Sequence, residues 1–169
     1  MTFEIGEKVV YPNQGVGTIE NISARAFGAQ FEKFYLLRLV YSSMTVMVPF
    51  SNVGNVGLRR ITKGTEISKV LSYLSAGQCE VCPDWKYRFK VNSDKMQSGN
   101  LLQVAEVLKC LLIVQSEKPL SFREKKMLDR SRHMVISEIS IAKGFSETDA
   151  VEALQKALAK ASLSLPSAA

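Results

Sequence analysis

Histidine and cysteine are scarce in this chain, which has one His and three Cys among its 169 residues. Any Ser-His-Asp or Cys-His catalytic arrangement would have to use His133, which falls in a predicted long helix, where a solvated or packed histidine is the ordinary case. The spacing of Cys79 and Cys82 suits a metal or redox pair, but only Cys110 and His133 remain to complete a four-ligand zinc site. We therefore expect no enzyme, no bound metal and no cofactor. The low, odd number of cysteines favours a reducing cytoplasm.

Long apolar runs are absent from the sequence as well. The longest candidate, Val107–Val114, is interrupted by Lys109 and is far shorter than the roughly 18 apolar residues that a membrane-spanning helix needs. The first residues, Met1–Glu4, have neither a basic segment nor an apolar one, so we predict no secretory signal and no membrane partner. Gly15-Val16-Gly17 lacks the third glycine of a dinucleotide-binding loop. These absences argue against membrane proteins and nucleotide-dependent enzymes.

Positive charge is what the chain has in excess. Its 22 Lys and Arg against 16 Asp and Glu give a formal net charge of +6 and a pI near 9.3. Residues 63–145 carry most of the excess, with fourteen basic against nine acidic side chains. A charged face is more often a solvated surface than a binding site, so a local cluster is needed to indicate a function. The distribution favours a polyanionic partner for the middle of the chain.

The N-terminal part of the sequence has the short period of β-strands. Strands are predicted at Lys8–Tyr11, Gly17–Ser23, Phe34–Val40 and Met44–Pro49, separated by turns rich in Gly, Pro, Asn and Ser. In the second of these, the alternation places Ile19 and its period-two neighbours on one face. Four or five short strands at about ten-residue spacing are typical of a small barrel of SH3 or Tudor type. We assign this domain to residues 1–62.

After Ile61 the apolar period becomes helical, and five helices are predicted. The first begins at Gly64 or Thr65, and the fourth begins with the capping box Ser121-Phe122-Arg123-Glu124 and stops at Gly144. Asp84, Asn100 and Ser146 are the expected N-terminal caps of the other three. The predicted fold class is therefore α+β, a small β-barrel followed by an all-α bundle over residues 63–169, with a frayed tail from about residue 162.

One segment, Asp84–Lys90, interleaves aromatic and basic residues at the start of the second predicted helix. It contains Trp85, the chain's one tryptophan, together with Lys86, Arg88 and Lys90, and Lys95 extends the basic set one turn later. Such cations bind phosphates by releasing counterions, and an exposed aromatic ring can stack on an unpaired base or wedge into a strained base step. Aromatic residues at helical spacing are equally common as core anchors, and Phe89 is the better core candidate.

Two sets of residues, one in each half of the chain, form a family pattern. The N-terminal set is Phe3-x-Ile5-Gly6-x-x-Val9-Val10-Tyr11-Pro12-x-x-Gly15-Val16-Gly17, then Val48-Pro49 and Val56-Gly57-Leu58-Arg59. The C-terminal set is Trp85, Arg88, Lys90, Asn92, Lys95-Met96-Gln97-Ser98-Gly99, Val104-Ala105-Glu106-Val107 and Glu124-Lys125-Lys126-Met127-Leu128. Together they resemble the CarD/CdnL family of bacterial transcription regulators over roughly residues 1–160. The N-terminal module of that family is shared with transcription-repair coupling factors.

The resemblance implies a non-enzymatic regulator whose Tudor-like domain docks on the lobe of the RNA polymerase β subunit. It implies that the helical domain contacts promoter DNA near the −10 element, at the upstream edge of the transcription bubble, and stabilises the open complex. By correspondence with the family, Trp85 is the minor-groove wedge, and Arg88 and Lys90 are flanking DNA contacts. Arg25 matches a polymerase-contacting arginine, and Met47 stands where some members have another arginine.

Tyr87 likewise stands where some relatives have a basic residue, and Lys86 is a local addition that can offset it. The expected partners are the RNA polymerase β subunit and promoter DNA, with a sigma factor as a further candidate. The chain is expected to be a cytoplasmic monomer that reaches the nucleoid through polymerase. Two other functions remain open: a general nucleic-acid-binding protein that works without polymerase, and a redox- or metal-responsive switch that uses Cys79 and Cys82.

Overall fold

The computed structural model describes residues 2–76 and 81–166 of the chain. It divides into two compact units, with the division between Ile61 and Thr62. The first unit is mostly β and the second is helical. The predicted fold class, α+β with a small antiparallel β domain followed by an all-α domain, is confirmed.

Five strands form one antiparallel sheet within the described part of the first unit. The elements are β1 Lys8–Tyr11, β2 Gly15–Phe27, β3 Gln30–Leu39, β4 Thr45–Pro49, α1 Val53–Val56 and β5 Arg59–Arg60. The spatial order of the strands is β4-β3-β2-β1-β5, so β4 and β5 lie at the edges. The sequence analysis did not predict the short helix α1, which follows a single turn of 3₁₀ helix at Phe50–Asn52.

The core of the β unit lies on one face of the sheet and is centred on Tyr35. The Tyr35 ring stacks on Phe50 at 4.3 Å between centroids, and its hydroxyl oxygen accepts the backbone N–H of Phe3 at 3.0 Å. The predicted alternation along β2 is wrong beyond Ile19, because a bulge shifts the register before Asn21. Ile22 therefore lies opposite Tyr35 and packs against the core, whereas Asn21 is exposed.

The second unit has five helices among its described residues, as predicted. Side-chain oxygens of Asp84, Asn100, Ser121 and Ser146 each accept a backbone N–H of the following first turn, which confirms these four residues as N-caps. The helices are α2 Gly64–Ser75, α3 Trp85–Gln97, α4 Leu101–Glu117, α5 Phe122–Lys143 and α6 Glu147–Lys160. Gly144 ends α5 in the left-handed conformation at φ +67°, which glycine adopts without strain.

Helix α4 is the central element of the helical core. Its side chains are buried on most sides, and α2, α3 and α5 all pack against it. In the described ranges, no helix combines the length and the apolar character that crossing a bilayer requires. Because α3 and α5 both lie against neighbouring helices, their first turns are held in fixed positions at the surface of this unit.

Candidate nucleic-acid interface

Trp85 occupies the first position of α3 and is exposed to solvent. The Asp84 carboxylate accepts the backbone N–H of Lys86 at 3.1 Å, which fixes the start of the helix at this point. The indole is 51% exposed, so the alternative interpretation of Trp85 as a core anchor is wrong. Phe89, one turn later, is half-buried, as expected for the more core-like of the two rings.

Arg88 is buried, in contrast to its neighbours on α3. Its Nε and Nη2 atoms donate to the two carboxylate oxygens of Glu124 at 2.9 Å each, and Nη1 donates to the carbonyl oxygen of Cys82 at 2.9 Å. The pKa of Arg88 is raised above its ordinary value, mainly because the Glu124 carboxylate hydrogen-bonds to it. Since the guanidinium is only 4% exposed and makes three hydrogen bonds inside the unit, the prediction that Arg88 contacts DNA is wrong for this structure.

Because of the Arg88–Glu124 ion pair, only half of the capping box predicted at the start of α5 is formed. The Ser121 hydroxyl accepts the backbone N–H of Glu124 at 3.2 Å, as the motif requires. The Glu124 carboxylate, however, forms the bidentate pair with Arg88. A buried cation competes better for this carboxylate than a backbone amide does, because a guanidinium left unpaired inside the unit would carry a large desolvation cost.

The Arg88–Glu124 pair joins the first turns of α3 and α5, which lie 36 residues apart in sequence. A second contact supports it: the Arg123 guanidinium lies over the Phe89 ring, 5.5 Å from its centroid. The sequence analysis named site residues on α3 and did not predict that the start of α5 contacts that helix. The basic run Arg123–Lys126 was the available signal, but only the fold shows that it adjoins α3.

Five exposed cations surround this junction. The first two turns of α3 and α5 contain six basic side chains and one carboxylate, and Arg88 neutralises that carboxylate inside the unit. The remaining positive charge faces solvent, where it can attract a polyanion. We call this surface the α3–α5 basic surface; its residues are Trp85, Lys86, Lys90, Phe122, Arg123, Lys125 and Lys126.

The three predicted lysines differ in their surroundings. The Lys86 ammonium lies 5.8 Å from the Trp85 ring centroid, and Lys90 is exposed on the same helix. Lys95 is only one-third exposed and forms an ion pair with Glu106 at 2.9 Å. Because that carboxylate balances its charge, Lys95 adds less to the positive field than Lys86 and Lys90 do.

Arg25 and Met47, the two predicted polymerase contacts, lie on the same face of the β-sheet. Met47 of β4 is opposite Leu36 of β3, and Arg25 of β2 is opposite Glu32 of β3. Residues 32 and 36 have the same parity along β3, and opposed residues share a face, so Arg25 and Met47 point to one side. They lie about 13 Å apart along the strand direction. Both side chains are exposed, so the sheet presents them together.

The cysteines give the switch hypothesis little support. Cys79 lies outside the described residues, so the predicted Cys79–Cys82 pair has no structural description. Cys82 is half-buried and Cys110 is buried, its sulfur 3.7 Å from Asn92 Nδ2. Within residues 2–76 and 81–166, no three side chains of the His, Cys, Asp and Glu types come together as metal ligands would. His133 is 3.7 Å from Asp129 on the surface of α5.

Comparison with known proteins identifies the class. A model of the CarD-like/TRCF RID domain matches residues 3–62, and a model of the CarD C-terminal domain matches residues 69–155. The chain is 35% identical over 145 residues to a Bacillus subtilis (strain 168) protein named "Putative transcription factor YdeB", covering 86% of this chain and 95% of that one. The chain therefore belongs to the CarD-like family of transcription factors, whose members are non-enzymatic regulators.

Two solved structures from Myxococcus xanthus are similar to about a third of this chain. One, titled CdnLNt, is 43% identical and covers 36% of this chain and 86% of its own, with a TM-score of 0.31. The other, a solution NMR structure of the 72-residue N-terminal domain of CarD, is 34% identical and covers 35% of this chain and 79% of its own, also with a TM-score of 0.31. The RID-type domain implies that this chain interacts with RNA polymerase.

Proposed function

We propose that this protein binds the RNA polymerase β subunit through its N-terminal unit and promoter DNA through the α3–α5 basic surface. On DNA, it would act at the upstream edge of the transcription bubble, near the −10 element, and stabilise the open complex. The observation that carries the proposal is the exposed Trp85 ring beside Lys86, with Lys90 exposed on the same helix, on a surface where the Glu124 carboxylate is paired with Arg88 inside the unit. Such a regulator works in the cytoplasm, where polymerase is.

The two units have complementary tasks in this proposal. Binding to polymerase makes the DNA contact effectively intramolecular, so a weak grip on DNA is sufficient. Lys86 and Lys90 would hold backbone phosphates, while the Trp85 indole would insert where base pairs have already separated. Arg88 acts as a positioning residue, because its pair with Glu124 fixes the helix that carries the indole.

The effect on the promoter follows from differential affinity. An indole that stacks only on melted DNA favours the open over the closed complex by as much as the stacking is worth. Stacking of a base on an aromatic side chain contributes about 1–3 kcal/mol, which corresponds to roughly a fivefold or greater shift in the equilibrium. Duplex DNA without a junction would gain little from the same contact, so the proposal predicts a preference for forked over fully paired DNA.

The test is permanganate reactivity of promoter thymines at the upstream bubble edge, with polymerase and either the wild-type chain or Trp85→Ala. We expect wild type to raise the reactivity and Trp85→Ala to lose most of the increase while remaining bound to polymerase. Phe145→Ala is the matched control, because Phe145 is an exposed aromatic beyond the far end of α5, which is about 33 Å long. Equal reactivity with wild type and Trp85→Ala would reject the wedge. Binding to DNA with no binding to polymerase would favour a general nucleic-acid-binding protein.

A further inference from the structure

Phe122 has an unusual environment for a phenylalanine. It is the first residue of α5, 72% of it is exposed, and the Lys126 ammonium lies 4.6 Å from its ring centroid. An apolar ring of this size contributes to folding mainly through burial, which Phe122 largely forgoes. Lys126, one helical turn later, is itself exposed, so ring and cation form a joint feature of the surface.

Phe122, like Trp85, is the first residue of one of the two helices that the central ion pair joins. Trp85 lies three residues before Arg88 and so on nearly the same side of α3, whereas Phe122 lies two residues before Glu124 and so projects from a different side of α5. The bidentate Arg88–Glu124 pair holds the two helix starts together. Each ring also has an adjacent cation, Lys86 for Trp85 and Lys126 for Phe122.

The surroundings of Phe122 favour a nucleic acid as its partner. Arg123, Lys125 and Lys126 are all exposed, and Glu124, the one carboxylate among the first residues of α5, is 2% exposed and neutralised. A partner must therefore be strongly anionic and also offer a flat apolar face. An unpaired DNA strand has both properties, because every base has a face for stacking beside its phosphates. Paired DNA presents its phosphates but keeps those faces inside the stack.

We propose that Phe122 is a second base-contacting ring, and that with Arg123 and Lys126 it binds unpaired DNA next to the junction engaged by Trp85. This inference depends on the proposed function, since it assigns a further part of the same interface. It adds that two rings on two helices, rather than one indole, give the surface its preference for separated strands. The cations of α5 would supply the phosphate contacts for the second ring.

The experiment measures binding of the full chain to forked DNA and to a fully paired duplex of the same sequence, by fluorescence anisotropy at low salt. Phe122→Ala is expected to weaken fork binding by about fivefold or more and duplex binding by much less. Phe122→Trp should retain the fork preference, whereas Phe122→Leu should lose most of it, because leucine is apolar but cannot stack. Phe145→Ala serves as the control ring, and thermal unfolding of each variant shows that the helical unit remains folded.

The outcomes separate this inference from the function on which it depends. If Trp85→Ala loses the fork preference and Phe122→Ala keeps it, the second ring is rejected and the proposed function stands. If neither variant changes the preference, or if wild type binds fork and duplex equally, both are rejected. Polyglutamate and single-stranded DNA of equal charge are compared as competitors of the bound forked DNA. If polyglutamate competes as effectively as the single-stranded DNA, the surface recognises an anionic peptide and the proposal is overturned. Loss of fork binding in both alanine variants, with Phe122→Trp intact, supports it.

Discussion

The two units of this protein differ in where their charged side chains lie, at the surface in one and partly in the interior in the other. In the β unit, the described core is apolar apart from the Tyr35 hydroxyl, and the Arg60–Glu7 ion pair lies at the surface. In the helical unit, charged groups are buried: the Arg88–Glu124 pair, and Lys109, whose ammonium donates to the carbonyl oxygens of Tyr73 and Ala76. All the buried polar or charged side chains of the described residues belong to the helical unit, and they are Arg88, Asn92, Lys109, Glu124, Ser131 and Glu138.

The difference indicates how each unit holds its functional surface. A sheet fixes the direction of side chains through strand register, so Arg25 and Met47 share a face without any buried charge between them. Helices can rotate and slide against one another, and apolar packing alone specifies their relative position less strictly. A buried bidentate pair has one productive geometry, so it can fix two helix starts relative to each other. We infer that substitutions of exposed residues in the β unit change its free energy of unfolding little, whereas a single substitution of Glu124 lowers that of the helical unit strongly.

The largest expected effect comes from Glu124→Ala, which leaves the Arg88 guanidinium buried and unpaired. We expect the helical unit to lose about 3–5 kcal/mol of unfolding free energy, since removing one partner of a buried pair has this cost. Trp85 is the one tryptophan, so its fluorescence during urea unfolding reports on this unit. The double variant Arg88→Met, Glu124→Met is the control and should lose much less. A loss of less than about 1 kcal/mol in Glu124→Ala, the range of an exposed pair, would contradict the comparison.

A smaller effect, on binding rather than on folding, is expected from Arg25→Glu. Charge reversal at this predicted polymerase contact should lower the affinity for purified polymerase about tenfold, while the unfolding free energy changes by no more than about 0.5 kcal/mol. The control is Lys33→Glu, which makes the same charge change on the opposite face of the sheet. Lys33 is opposite Ala24, which directly precedes Arg25 along β2, and successive residues of a strand point to opposite faces. Equal loss of polymerase binding in the two variants would show that net charge matters and the Arg25–Met47 face does not.

The smallest expected effect is at the exposed pair of the β unit. The pKa of Glu7 is lowered, chiefly because its carboxylate accepts the backbone N–H of Glu4 and also because Arg60 bonds to it. A lowered pKa stabilises the folded unit above the ordinary value of 4.5, and this contribution is lost as the pH falls through the folded-state pKa. Glu7→Gln should therefore reduce stability by less than about 1 kcal/mol at neutral pH and flatten its decline in acid. An unchanged acid decline would show that Glu7 is not involved.

Local signals in the sequence were enough to predict the five helices of the helical unit, although not the short helix α1 of the β unit. A cap such as Asp84 or Ser121 acts within three residues, and the helical period depends on near neighbours, so both are visible without a fold. The bulge after Ile19 was not visible, because it depends on the register with β3. The role of Arg88 was not visible either, because its partner Glu124 is 36 residues away and charge alone does not distinguish a phosphate contact from a buried pair.

The central claim is that, when the N-terminal unit is bound to polymerase, the exposed indole of the helical unit stabilises separated DNA strands. The most direct measurement is the lifetime of promoter open complexes after addition of a heparin competitor, with wild type, Trp85→Ala or Phe145→Ala present at saturating concentration. The account predicts that wild type and Phe145→Ala prolong the lifetime equally, and that Trp85→Ala reduces the prolongation about fivefold or more while still bound to polymerase. Equal prolongation by Trp85→Ala and wild type would contradict it.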